Sequence, residues 1–358
     1  MNSPSTEPAD RPATTEPHQN NDRRRVTISL IAHEAGVSVP TVSRVVNGRS
    51  DVAPQTRQRI EALLRQYGYQ PRGSRARTTD GARLIDLVFN DLDSPWAVEI
   101  IRGVEDVAHA AGVGAVVSTI HRKAEPARQW LQNLRARASD GVILVNSMLE
   151  PSLLAELRRL SVPLVVVDPD GTPTLDAPAI GATNWAGGLS AAEHLLSLGH
   201  RRIGVVTGPR NMLCSQARLD GYRAALTAAG VQLADELLHE GDFYHESGFK
   251  SGQAILTLAE PPTAILASSD QMALGVYEAV RQHGLRVPDD VSVVGFDDLP
   301  EVKWSSPPLT TVRQPLAEMG ALAARTVLRL AAGDEVESPR VDLATTLVVR
   351  ESTTTWQQ

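Results

Sequence analysis

The chain contains one cysteine, Cys214. A lone thiol excludes an internal disulfide framework and fits a reducing compartment. Long apolar runs are also missing: none approaches the roughly 18 consecutive apolar residues of a membrane span, and the N-terminal stretch has no apolar signal core. A cytoplasmic protein with no membrane partner is expected. The nine histidines fall at no metal-binding spacing, and His200 in LGHRR reads as a helix end, so neither a metal nor another cofactor is expected. Enzyme signatures are lacking as well. No nucleophile elbow or phosphate loop occurs, and GVGAVV lacks the third glycine of a dinucleotide fingerprint.

At 358 residues the chain exceeds one typical domain and has ample apolar content for a large core. Its charge is unevenly placed. Between Asp22 and Arg77 eleven Lys and Arg face four Asp and Glu, about +7, whereas Thr78 to Gln358 carries 23 against 35, about −12. A small basic end on an acidic body points to phosphate contact confined to that end.

The basic end contains VTISLIAHEAGVSVPTVSRVVN, residues 26–47. Ile28, Ile31 and Ala32 fall at helical spacing behind Thr27 as N-cap, which predicts a first helix of about eight residues. Gly36 stops it in left-handed geometry, Val37 plugs the space between helices, and Ser38 caps a second helix from about Val39. On that second helix Val42, Val45 and Val46 face inward. Val39, Pro40, Thr41, Ser43 and Arg44 lie on or near the outer face, where a recognition helix meets bases and phosphates, and with Thr27, Ser38 and Asn47 they are the head's candidate DNA-binding residues. Pro40 is tolerated because the N–H it lacks would have no helical partner.

Ahead of this head, residues 1–21 are rich in Pro, Thr, Ser and Asn and show no period, so a disordered tail is expected. Behind it, PRGSRARTTDGA reads by composition as a linker over 71–81. The domain plan is therefore a tail over 1–21, a helix-turn-helix head over 22–70, a linker over 71–81 and a body over 82–358.

In the body, apolar runs at 84–90, 112–118, 141–146, 164–168, 202–208, 264–268 and 291–296 read as buried parallel strands. Helical stretches at 97–110, 125–136, 187–198, 217–228, 247–258 and 272–283 separate them. This alternation is the pattern of a doubly wound α/β fold in two similar halves, with helices covering both sheet faces. Ligands of such sheets bind outside the carboxyl ends of the strands. Asn90, Asp91 and Trp96 follow the first run, Asp168 ends the fourth, Ser269 follows the sixth and Asp297 the seventh. With Phe243 as an aromatic platform, these groups suit a polyol: carboxylates accept from hydroxyls while a flat ring stacks on a sugar face.

The head resembles that of the bacterial lactose/galactose repressor family through AGVSVPTVSRVVNG, TRQRI and YGYQP. The body resembles the same family's sensor, itself similar to periplasmic sugar-binding proteins, through GHRRIGVVTGP, ARLDGYRAAL, SSDQMALGVYEAVRQHGLRVPDDVSVVGFDDLP and PPLTTVRQP. The resemblance implies a third head helix from Thr56 to Tyr67, operator discrimination by Val39 and Pro40, and a base or phosphate contact by Arg44. It further implies that Arg218 and Asp297 bind the effector and that Phe243 stacks on it. Ser269 stands where the lactose-responsive member has asparagine, which argues against the same sugar. Three crossovers are implied between an N-terminal subdomain of about 82–181 with 312–343 and a C-terminal one of about 182–311 with 344–358. One family feature is missing. The hinge leucine that wedges into the minor groove has no counterpart, because its register falls on Arg77 or Thr78, and Gly73 weakens helix formation. Arg75 or Arg77 can enter a narrow groove instead, and Arg72 adds a phosphate contact.

The expected protein is a sequence-specific transcriptional regulator, most simply a repressor, that binds double-stranded operator DNA as a homodimer under control of a small carbohydrate. A purine-type regulator with a nucleobase corepressor is the alternative. A glycosidic enzyme using the cleft carboxylates would leave the head unexplained, and a secreted solute-binding protein is opposed by the basic head and the missing signal.

Overall fold

The structure, a computed structural model, describes residues 27–46, 52–67, 83–121, 123–146, 151–169, 177–336 and 338–356. The tail over 1–21, Asn47 and the linker with Arg72, Arg75 and Arg77 lie outside the described residues. The chain forms two compact units, 1–81 and 82–358.

Among its described residues the first unit has three helices: α1 (Ile28–Ala35), α2 (Val39–Val46) and α3 (Pro54–Gln66). Thr27 Oγ1 accepts from the N–H of Leu30 at 3.3 Å, satisfying one of the donors a helix start leaves open. Gly36 ends α1 at φ 62°, a conformation that a Cβ disfavours. Ser38 then caps α2, its hydroxyl accepting from the N–H of Thr41 at 3.4 Å. Ile31, Ala32, Ala35, Val42, Val45 and Ile60 make the core, and half-buried Val37 packs against it as the plug. The third helix starts two residues before the expected Thr56, because Pro54 has the φ of a first helical turn and needs no N–H partner there.

The second unit runs β1 (Leu84–Phe89), α4 (Pro95–Ala110), β2 (Gly114–Thr119), α5 (Ala124–Arg137), β3 (Gly141–Val145), α6 (Pro151–Arg159), β4 (Leu164–Val167) and β5 (Ala179–Ala182). It continues with α7 (Asn184–Ser197), β6 (Ile203–Thr207), α8 (Leu213–Ala228), β7 (Leu238–Glu240), α9 (His245–Leu256), β8 (Ala264–Ala267), α10 (Asp270–Gln282) and β9 (Ser292–Asp297). It closes with β10 (Thr310–Arg313), α11 (Leu316–Ala332), β11 (Arg340–Leu343) and β12 (Thr346–Val348). Two six-stranded sheets result, in the orders β11-β5-β4-β3-β1-β2 and β12-β10-β9-β8-β6-β7. Every pairing is parallel except β10 with β12.

Side-chain alternation along each strand builds one core on each face. In the first sheet Leu87, Ile143 and Val165 meet α4 and α11, while Val88, Val142 and Leu144 meet Trp130 and Leu134 of α5 and Leu153 of α6. In the second, Val205, Leu266 and Phe296 meet α7 and α8, while Val206, Ile265 and Val293 meet α9 and α10. Burial on both faces is why these strands are apolar throughout. The run at 112–118 is an exception: it forms β2, an edge strand whose residues are half-buried or exposed, with Val117 38% exposed, and not a buried strand.

The chain passes from the first sheet to the second after β5, returns after β10 and crosses again between β11 and β12. The first crossing therefore falls after Ala182 and the second after Arg313, so residues 312 and 313 belong with the second sheet and not with the first. Register decides this, since Val312 and Arg313 pair with Phe296 and Asp297 of β9. In both sheets the strand order reverses beside the first strand of the lobe, between β1 and β3 and between β6 and β8. Those reversals open a crevice at the strand ends.

Candidate functional site

The eight body residues singled out from the sequence line one cavity of about 270 Å³ between the two lobes: Asn90, Asp91, Trp96, Asp168, Arg218, Phe243, Ser269 and Asp297. An apolar cavity of about 150 Å³ holds a benzene ring, so this one has room for a substituted ring. Asn90 and Asp91 follow β1, Asp168 follows β4, Ser269 follows β8 and Asp297 ends β9. Asn146, Asp168, Phe243 and Asp297 all hold positive φ, at 44°, 48°, 75° and 121°. Backbone strain of this kind collects where a chain must aim side chains into a site.

Arg218 organises the second lobe. It lies on α8, where α7 approaches so closely that a Cβ on Gly188 would stand 2.3 Å from the Arg218 carbonyl oxygen. Its side chain is 3% exposed. Nε donates to Asn184 Oδ1 at 2.8 Å and Nη1 to the Ser268 carbonyl at 2.6 Å, and the guanidinium lies 3.8 Å from the centre of the Phe296 ring. Asp297 is 3.8 Å away and accepts from Gln314 Nε2 at 2.6 Å. Burial raises the Asp297 carboxyl to about 7, against the opposing pull of Arg218 and the Gln314 bond. Asp298, read as a turn residue, has a structural partner set: Arg313 at 2.6 Å and Arg350 at 2.5 Å.

Ser269 caps α10, accepting from the N–H of Met272 at 3.1 Å and donating to the Phe243 carbonyl at 2.8 Å, so it fixes the aromatic as well as lining the wall. Trp96 is half-buried against the first-lobe core and also lines the cavity. Asn146, Asp242, Tyr244 and Gln271 also line the cavity and were not singled out from the sequence, and Cys214 forms part of its wall. Asn146 follows β3 directly, so the strand-end rule that found Asn90 also reaches it. Burial, and then the charge of Asp168, push the Cys214 thiol far above its usual range, leaving it a small inert wall.

The cavity's hydrogen-bond balance is one-sided. Asp91, Asp168, Asp242 and Asp297 contribute carboxyl groups, against the single cation Arg218. The side-chain oxygens Asn90 Oδ1 and Asn146 Oδ1 are buried with no hydrogen-bond partner among the described residues. Asn90 Nδ2 meanwhile donates to the Asn146 backbone carbonyl, which ties the end of β1 to the end of β3.

In the first unit, α2 buries Val42 and Val45 and leaves Val39, Pro40 and Arg44 exposed, with Thr41 and Ser43 half-buried. Thr27 and Ser38 are exposed caps. The Val46 side chain lies outside the described residues.

A family profile described as "Bacterial regulatory proteins, lacI family" matches residues 27–72, and one described as "Periplasmic binding protein-like domain" matches 192–353. The HTH-type transcriptional repressor CytR of Escherichia coli (strain K12) is 33% identical over 329 residues, 91% of this chain and 96% of that protein. The chain belongs to the lacI family. Two solved structures of similar proteins cover 92% of this chain and 100% of their own. One is a complex of the transcriptional regulator CelR with cellobiose, at 34% identity and a TM-score of 0.70. The other is the lac repressor dimer bound to operator and the anti-inducer ONPF, at 31% and 0.68. As a lacI-family protein the chain is a DNA-binding transcriptional repressor and not an enzyme. Among the described residues no helix is long and apolar enough to cross a membrane.

Proposed function

We propose that this repressor binds its operator as a homodimer through the α2 face, with a head over 22–70, a hinge over 71–81 and a sensor over 82–358. A small neutral carbohydrate in the interlobe cavity controls its operator affinity. The observation that carries the ligand class is the pair of unpartnered buried oxygens on Asn90 and Asn146. Each buried acceptor without a donor costs about 1–3 kcal/mol, and a ligand that brings donors relieves that cost. The cavity's carboxylates accept only, whereas a sugar hydroxyl both donates and accepts, so adjacent hydroxyls satisfy the two amides while others reach Asp168 and Asp297. Phe243 and Trp96 supply apolar surface for a ring face. The CelR structure holds cellobiose, and the lac repressor structure is a dimer on operator DNA. Both fit this reading.

For the cavity to act as a switch, the ligand must favour one arrangement of the lobes, and operator affinity changes by that difference. A thermal-shift screen of the purified protein against pentoses, hexoses, disaccharides and nucleobases tests the ligand class. A ligand at a hundred times its Kd adds about 2.7 kcal/mol of stability. A shift by saccharides that also changes operator binding is expected, and a shift by nucleobases alone overturns the reading in favour of a purine-type regulator.

A further inference from the structure

A second cavity, of about 490 Å³, adjoins the first, and Asp168 and Cys214 line both. These two residues border both cavities where they adjoin. The rest of the lining comes from the strand ends and crossovers beyond them: Gly181 on β5, Thr183 and Asn184 at the first crossover, Trp185 on α7, and Arg340 and Asp342 on β11.

Three features make this cavity a place for a ligand and set the chemistry it accepts. Trp185 is 48% exposed although it lines a concavity, and it packs in none of the apolar cores of the unit. A large aromatic surface left open beside polar groups is a stacking platform. Arg340 Nε donates to both carboxylate oxygens of Asp342 at 3.1 Å, which fixes a donor and an acceptor at the far side. A Cβ at Gly181 would stand 2.5 Å from Asp342 Oδ1, so glycine is what leaves room for this pair over the strand. Charge sets the class. Asp168 and Asp342 outweigh Arg340, which disfavours phosphates and carboxylates and leaves neutral, hydroxyl-bearing molecules.

We propose that the second cavity seats a second glycosyl unit, so that the effector is a disaccharide or longer oligosaccharide whose first ring occupies the Arg218 cavity and whose chain passes Asp168 and Cys214 onto the Trp185 face. The proposal rests on the carbohydrate reading above. The sugar's C–H face lies on Trp185 while its hydroxyls meet Arg340 and Asp342, and the first ring's contacts are independent of Trp185.

The test is calorimetry on the full-length protein with matched probes: glucose with cellobiose, galactose with lactose, xylose with xylobiose. One disaccharide is expected to bind at least ten-fold more tightly than its monosaccharide. Trp185→Ala, a change at an exposed side chain, removes most of that gain and leaves the monosaccharide affinity within about two-fold, while Trp185→Phe keeps the gain. Three results overturn the proposal while the carbohydrate reading stands: monosaccharide binding with no disaccharide of the three tighter than its monosaccharide, a gain that survives Trp185→Ala, or equal losses for both sugars of the pair. If none of the six sugars binds, the carbohydrate reading falls and the proposal falls with it.

Discussion

Tyr244 Oη donates to Asp91 Oδ1 at 2.7 Å, joining the segment after β7 in the second lobe to the segment after β1 in the first. Both residues line the cavity, so the bond spans the cleft between the lobes. Burial, and then the bond to Asp91, hold the phenol above its usual range, so it stays a protonated donor. Asp242 steadies the segment by accepting from the Tyr244 N–H at 2.9 Å. The bond therefore favours the arrangement of the lobes seen in this structure.

Tyr244→Phe removes that donor with little change in shape. A hydrogen bond to a charged group contributes about 1.5–3 kcal/mol, and half-exposure of the tyrosine reduces this to about 1. The expected outcome is ligand binding weakened roughly five-fold, chiefly through faster dissociation. Asp91→Ala, which removes the acceptor, should lose a similar amount and the double variant little more, because the two side chains share one interaction. Additive losses in stopped-flow measurements would mean that each residue acts separately and that no latch exists.

The carboxyl of Asp297 gives the sensor a pH dependence of defined sign. Burial raises it to about 7 in the native protein, so between about 4 and 7 the native state binds more protons than the unfolded chain. Native stability from this group therefore falls as pH climbs through that window and levels off above it. Ligand binding runs the opposite way, since a hydroxyl donating to Asp297 favours the ionised form. Affinity should rise from pH 5.5 to about 7.5 and then flatten, and Asp297→Asn should abolish the rise. A flat wild-type profile by calorimetry sinks the assignment of Asp297 as a hydroxyl acceptor.

Much of the sensor was legible because a strand covered on both faces must be apolar and a ligand must meet its carboxyl end. That rule located Asn90, Asp168 and Asp297, and the helix-stop chemistry of Gly36 and Ser38 located the head. The rule failed where period carries little signal. Strands β5, β7, β10, β11 and β12 are three or four residues long, and all but β7 flank crossovers that local sequence does not encode. The run at 112–118 looks like a central strand yet sits at the sheet edge, because apolar content reports covering surface and not strand order. Tyr244 became a site residue only when the segment after β7 met the segment after β1 across the cleft.

Arg218→Lys tests the guanidinium without removing its charge. Arg218→Ala is the harsher change: it strips the buried Asn184 Oδ1 and the Ser268 carbonyl of a donor and leaves Asp297 without its cation, and breaking a buried pair costs about 3–5 kcal/mol. Lysine keeps the charge but cannot fork to two acceptors. The lysine variant should fold and bind operator as the wild type does while its response to ligand is lost. A normal response in a reporter strain would remove Arg218 from the effector site.

Arg44 lies exposed on α2, opposite the buried Val42 and Val45 that hold this helix on the head's core. Alanine is the best helix former, so Arg44→Ala keeps α2 helical and leaves the buried Val42 and Val45 unchanged while removing the guanidinium. A lost base or phosphate contact costs about 1–3 kcal/mol, or roughly five- to 150-fold in operator affinity. Salt dependence separates the two roles. If Arg44 meets a phosphate, the slope of log K against log salt becomes shallower by about 0.9; if it reads a base edge, the slope is nearly unchanged and discrimination at one operator position relaxes. Fluorescence anisotropy on a duplex obtained by in vitro selection with the wild-type protein, repeated at several salt concentrations, measures both. Saccharide binding by the sensor should be unchanged in the same preparation, which controls for global damage. Equal operator affinity for wild type and variant would show that α2 is not the reading helix of this head.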